Sequence, residues 1–172
     1  MARSTIDAST VLAHLLDEPR PDWVDDAVTS AREGRLDLVA PSLLWLEIGN
    51  CLVRAQGMAD EFALEAMLRT ETFGIEVVDI SRPIRFRALA LAREHELTMY
   101  DATYLTVAEV TETSLLTLDA RLERAAASMG LGRDGGSKVS EPSAPFGDRP
   151  ADTTSLAAIG AALAEMRREY SA

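Results

Sequence analysis

Hydrophobic and polar positions along this chain switch repeatedly between two periods. Short apolar runs of strand length occur at Ser4–Ile6, Leu36–Ala40, Ile75–Ile80 and Ser114–Leu118. Ile75–Ile80 alternates and carries β-branched residues, the pattern of a half-buried strand. Between these runs apolar residues recur every three or four positions, as on one face of a helix. The start and stop signals predict a short helix capped by Ser9 or Thr10 and running through Leu16, then one from Asp22 to Glu33 closed by Gly34. Pro41-Ser42 opens a helix over Ser42–Ala55 that ends near Gly57, and Asp60–Thr72 forms another, stopped by Gly74. Ser81-Arg82-Pro83 starts a long helix with Ile84, Ala88, Leu91 and Ala92 on one face. A turn over His95–Thr98 leads to a helix from Asp101 to about Glu112, and Ala120–Met129 is the last helix of the body. Strands alternating with helices predict an α/β fold around a parallel sheet.

Beyond Met129 the pattern changes. Gly130–Pro150 is rich in Gly, Ser and Pro and reads as a loop or linker, with Lys138-Val139 able to form a small edge strand. From Thr153 a new amphipathic stripe begins, with Leu156, Ile159, Leu163, Met166 and Tyr170 at helical spacing. The expected organisation is a body over residues 1–133, a linker over 134–152 and a helical extension over 153–172.

Composition narrows the class. A length of 172 residues with 47% hydrophobic content suits one substantial core plus a tail. The single cysteine, Cys51, excludes an internal disulfide, suits a reducing compartment and lies where a buried thiol is expected. The sequence has neither a signal-peptide pattern nor an apolar stretch of membrane-spanning length, so a cytoplasmic protein is expected. Formal net charge is −11, which argues against broad, nonspecific nucleic-acid binding but not against a local site.

The candidate chemistry lies in four acids, each where an apolar element begins, ends or turns. Asp7 follows the first strand, Glu47 interrupts Leu43-Leu44-Trp45-Leu46, Asp101 opens a helix, and Asp119 follows Leu115-Leu116-Thr117-Leu118. In parallel α/β sheets ligands gather at the carboxyl ends of strands, which suits Asp7 and Asp119. Carboxylates beside buried strands are costly unless their charge is offset, and a hard divalent cation would do so. Each acid also has a plain structural reading: Asp7, Asp101 and Asp119 as helix caps, Glu47 as an exposed helical residue. His14 is expected to pack or face solvent, and His95 to end a helix. No second acid follows Asp7-Ala8-Ser9 at the spacing of a haloacid-dehalogenase phosphatase, and no Walker-type glycine loop is present.

The four segments in order resemble a known family. Ile6-Asp7-Ala8-Ser9, Pro41-Ser42-Leu43-Leu44-Trp45-Leu46-Glu47-Ile48-Gly49-Asn50, Leu97-Thr98-Met99-Tyr100-Asp101-Ala102-Thr103-Tyr104-Leu105 and Leu115-Leu116-Thr117-Leu118-Asp119-Ala120-Arg121-Leu122 are similar to the motifs of PIN-domain proteins, and within them of VapC-type toxins. The resemblance covers about residues 1–133. It implies a three-layer α/β/α fold with a small central parallel sheet, and metal-dependent endoribonuclease activity as the toxin of a toxin–antitoxin pair. Asp7, Glu47, Asp101 and Asp119 would then be the catalytic acids holding Mg2+ or Mn2+, with Asp7, Asp101 and Asp119 as direct ligands. Ser9, Thr117 and Asn50 would support them. A metal-free cluster of like charges would raise at least one pKa, so metal is also expected to stabilise the fold. A noncatalytic RNA-binding or assembly protein of the same fold is the alternative.

Partners follow from the same resemblance: RNA as substrate, a second copy as homodimer, and a cognate antitoxin. Arg82, Arg85 and Arg121 are the expected phosphate contacts, from basic groups that also hold Arg87, Arg93 and Arg124. Tyr100 and Tyr104 are expected to pack rather than to stack on bases. Phe62, Ala63, Ala66 and Met67 offer one helical face either to a partner or to the core.

Overall fold

The computed structural model describes residues 2–55 and 59–133. In chain order the elements are β1 (Ala2–Ile6), α1 (Ala8–Leu15), α2 (Asp22–Arg32), β2 (Leu36–Pro41), α3 (Leu44–Arg54), α4 (Asp60–Glu71), β3 (Glu76–Val78), α5 (Arg82–Glu94), α6 (Met99–Val110), β4 (Ser114–Leu116) and α7 (Ala120–Ser128). The strands form one four-stranded sheet in the order β3-β2-β1-β4. Every pairing is parallel, with Ser4 facing Leu38 and Ser114, and Val39 facing Glu76. Helices flank the sheet in a three-layer α/β/α arrangement: α1 packs on α2, α3 and α4, while α6 packs on α5 and α7 and lies against β1, β2 and β4.

The buried sheet positions carry the apolar strand residues Ile6, Leu38, Val39, Ala40, Leu115 and Leu116. From α6 come Ala102, Tyr104, Leu105, Val107 and Ala108, which explains why this helix shows weak amphipathicity: it is buried on most sides. Ile84, Ala88 and Leu91 of α5 are buried as their spacing predicts, and Ala92 is partly buried. Gly34 takes φ +69° where the chain leaves α2, and Arg35 N–H closes back on the Ser30 carbonyl. A residue with a Cβ is strained in that left-handed turn.

Several element boundaries differ from the sequence expectation. Asp7, not Ser9 or Thr10, caps α1. The helix expected from Ser42 starts at Leu44, because Pro41 still pairs with Val78 and Ser42 N–H donates to the Val78 carbonyl. Asp101 is the third residue of α6 rather than its opening residue, and Thr98 is the cap. On α4, Ala66 is buried and Ala63 and Met67 pack against the core, so that face is internal; Phe62, Leu64 and Leu68 are the exposed apolar residues. The expected linker over 134–152 and helix over 153–172 lie outside the described residues.

Candidate functional site

The strand order places a topological switch between β1 and β4, because β2 and β3 extend the sheet on the other side of β1. Ligand crevices in open parallel sheets form at the carboxyl side of such a switch. Asp7 leaves β1 there, and Thr117-Leu118-Asp119 leaves β4 beside it.

Asp7 is buried, and its side chain is hydrogen-bonded through both oxygens. Oδ1 accepts from Ser9 Oγ at 2.8 Å, Thr10 N–H at 3.1 Å and Thr10 Oγ1 at 3.1 Å; Oδ2 accepts from Thr117 Oγ1 at 2.7 Å. Burial pushes its pKa above the ordinary carboxylate range, and the donors from Thr117, Thr10 and Ser9 oppose that rise without cancelling it. Thr117 Oγ1 in turn accepts from Asp119 N–H at 3.0 Å, and Ser9 Oγ from Leu118 N–H at 3.0 Å. These hydroxyls thus tie the end of β1 to the end of β4.

Glu47 sits in the first turn of α3, partly exposed, and its Oε2 accepts from the buried Tyr104 hydroxyl at 2.5 Å. Desolvation raises its pKa, the Tyr104 hydrogen bond lowers it, and the charges of Asp7 and Asp101 raise it further. Two carboxylates from other helix starts, Asp7 and Asp101, therefore act electrostatically on Glu47. Asp101 lies in the first turn of α6, where its Oδ2 accepts from Thr98 Oγ1 at 2.7 Å. Asp119 is exposed and caps α7, with Oδ1 accepting from the N–H groups of Arg121 and Leu122, each at 2.8 Å.

As these side chains lie, no three His, Cys, Asp or Glu among the described residues are grouped closely enough to hold one metal ion. The donor chemistry nevertheless suits a hard cation. The β1–β4 switch offers carboxylate and hydroxyl oxygens, with Asp7 held against burial and Glu47 against burial and the charges of Asp7 and Asp101. Glu47 Oε1, Asp101 Oδ1 and Asp119 Oδ2 each lack a protein hydrogen bond among the described residues.

The remaining candidates lie in different settings. Asn50 is exposed on α3, one turn beyond Glu47. Arg82 stacks over the Phe86 ring at 5.5 Å, Arg85 donates to the Ile80 carbonyl at 3.1 Å, and Arg121 donates to the Glu96 carbonyl at 3.0 Å. Arg87 is instead bound to Glu109 through both ends of its guanidinium. His14 meets Asp25 at 2.7 Å and the Phe73 ring edge-on, remote in role from the acids. Tyr104, Thr10 and Thr98 were not singled out from sequence as site residues. Tyr104 had a legible signal: it follows Asp101 by three positions and so shares its helical face. Tyr100 is 62% exposed rather than packed.

Comparison with known proteins gives the arrangement a lineage. The PIN-domain family profile matches residues 5–128. The chain is 33% identical over 125 residues to "Ribonuclease VapC3" of Pyrobaculum aerophilum, an alignment covering 68% of this chain and 89% of that protein. Among solved structures it is similar to PAE2754 from Pyrobaculum aerophilum, with a TM-score of 0.55, 27% identity, and coverage of 72% of this chain and 84% of the other. VapBC2 from Rickettsia felis, solved bound to a DNA fragment of its promoter, shares the fold at a TM-score of 0.56 and 14% identity, over 72% of this chain and 92% of that one. The chain belongs to the PIN-domain family, and within it to the VapC-type proteins.

Proposed function

We propose that this protein is a magnesium- or manganese-dependent endoribonuclease that hydrolyses RNA phosphodiester bonds, acting as the toxin of a VapBC-type pair. The observation that carries the reading is the placement of Asp7 and Asp119 at the carboxyl ends of β1 and β4, joined through Thr117, with Glu47 within range of the charges of Asp7 and Asp101. The printed name of the Pyrobaculum aerophilum relative, a ribonuclease, agrees with it. Asp7, Asp101 and Asp119 would hold the ion or ions, together with Glu47. When bound, a divalent cation supplies an activated water and neutralises charge on the phosphoryl oxygens.

The chain's own residues prepare that chemistry. Ser9, Thr10 and Thr117 fix the plane of the Asp7 carboxylate: Oδ1 is taken up by three donors, while Oδ2 accepts from Thr117 alone and retains a lone pair among the described residues. Among the described residues no protein donor reaches Glu47 Oε1, and its raised pKa suits it to take a proton from an attacking water. Asp101 and Asp119 each engage one oxygen at a helix start, and among the described residues the other has no protein partner. Arg82, Arg85 and Arg121 are the phosphate contacts on this reading.

The second reading, a noncatalytic RNA-binding or assembly protein, draws on the fact that every one of the four acids also has a protein hydrogen-bond partner. One assay separates the two. RNA is incubated with the protein and Mg2+ or Mn2+, beside Asp7→Asn and Asp101→Asn. The nuclease reading expects metal-dependent cleavage, reduced on the order of 100-fold or more in each variant. Binding without cleavage at every metal concentration selects the noncatalytic reading.

A further inference from the structure

Tyr104 is the largest fully buried side chain among the described residues, yet its one polar atom lies in the acidic cleft. From α6 its hydroxyl reaches Oε2 of Glu47 on α3 at 2.5 Å. The hydroxyl thus joins α6, which carries Asp101, to α3, which carries Glu47. The geometry leads us to infer that Tyr104 is a positioning residue, which holds the Glu47 carboxylate in the cleft and presents its free oxygen, Oε1, to a divalent cation or its bound water. This rests on the nuclease reading above and names a residue that the reading does not require.

The physical case is one of opposing forces on a flexible arm. Glutamate has three rotatable side-chain bonds, and the Asp7 and Asp101 charges both repel its carboxylate. Solvent lies within reach because Glu47 is only partly buried, so an untethered carboxylate relaxes outward. A phenol on a packed ring has little freedom of its own and forms a strong hydrogen bond with a charged acceptor. In this pair the Tyr104 hydroxyl donates and the Glu47 carboxylate oxygen accepts. Tyr104 therefore acts on Glu47 as a fixed donor rather than as an acid or base. Ligand-supporting hydrogen bonds of this kind commonly change metal affinity by about 10- to 100-fold when removed.

Tyr104→Phe keeps the ring and deletes the tether. Mn2+ binding to wild type, Y104F, E47Q and the double variant is titrated by calorimetry or by the free-ion electron paramagnetic resonance signal, with circular dichroism and thermal midpoints recorded on the same samples. The expected result is an affinity loss of about tenfold or more in Y104F. That loss shrinks to near nothing in the E47Q background, because the two side chains act as one unit. A Y104F protein that binds Mn2+ like wild type, with only its thermal midpoint lowered, overturns the inference and leaves the nuclease reading standing. Equal Y104F losses in the wild-type and E47Q backgrounds overturn it as well, since Tyr104 would then act independently of Glu47. Wild-type protein that neither binds Mn2+ nor cuts RNA removes the nuclease reading and this inference together.

Discussion

Asp7 combines two demands that pull its chemistry in opposite directions. It caps α1 and accepts hydrogen bonds at both oxygens, which favours the anion, but it is buried where an anion is costly. Burial prevails, and its native pKa lies above the value of about 3.9 expected in the unfolded chain. The native state therefore holds the proton more tightly than the unfolded state does. As pH rises from the unfolded value through the native one, the native state loses stability, and above that window the full cost applies. Glu47 is shifted in the same direction. In the presence of a chelator, wild-type protein should melt at progressively lower temperature as pH is raised from about 4 through the native carboxyl values. Asp7→Asn should flatten this trend and gain on wild type toward neutral pH, as measured by thermal melts across that range. A wild-type profile that instead rises through the same window would contradict the assigned direction. Added Mn2+ should offset the cost in wild type and not in Asp7→Asn.

At the level of elements, the acids share one mode of placement: each stands in or immediately before the first turn of a helix. Asp7 and Asp119 are caps, while Glu47 and Asp101 lie within first turns. Helix starts expose unpaired N–H groups and a partial positive charge, so they tolerate carboxylates that would otherwise repel one another. Thr98 is central to one of them, accepting from Asp101 N–H at 3.1 Å and donating to Asp101 Oδ2. Thr98→Ala should cost about 1 kcal/mol in urea unfolding, the usual scale of a lost cap. A variant as stable as wild type would show that the cap contributes nothing measurable.

For the whole molecule the dominant quantity is charge. A net charge of −11 opposes any polyanion, so on the nuclease reading RNA contact rests on local cations such as Arg82, Arg85 and Arg121. On the nuclease reading, replacing Arg82 and Arg85 together by Ala should weaken RNA binding to a similar degree across sequences. The dependence of log affinity on log salt should become shallower by about 1.4, from roughly 0.7 per lost phosphate contact on a single strand. An unchanged slope would place RNA elsewhere. The outward faces of α3 and α4 carry exposed Leu46, Val53, Leu64 and Leu68, whereas Ala63 and Met67 pack against the core. Among the described residues no helix is long and apolar enough to cross a membrane.

The alternation of strand-length and helix-length patterns was enough to establish an α/β fold, because burial of β1, β2 and α5 writes directly into apolar spacing. Four ordered motifs pointed to the acids, and the fold sets each of them at or beside a helix start. Helix starts were less legible: Ser9, Thr10 and Asp101 are all chemically able to cap, and only the folded backbone selects Asp7 and Thr98 instead. Partnership was not legible at all. That Thr117 bonds Asp7 across 110 positions, and that Tyr104 meets Glu47 across 57, depends on strand order and helix packing. Residue type sets which hydrogen bonds are possible, but distance in space sets which are made, and that distance exists only once the chain has folded.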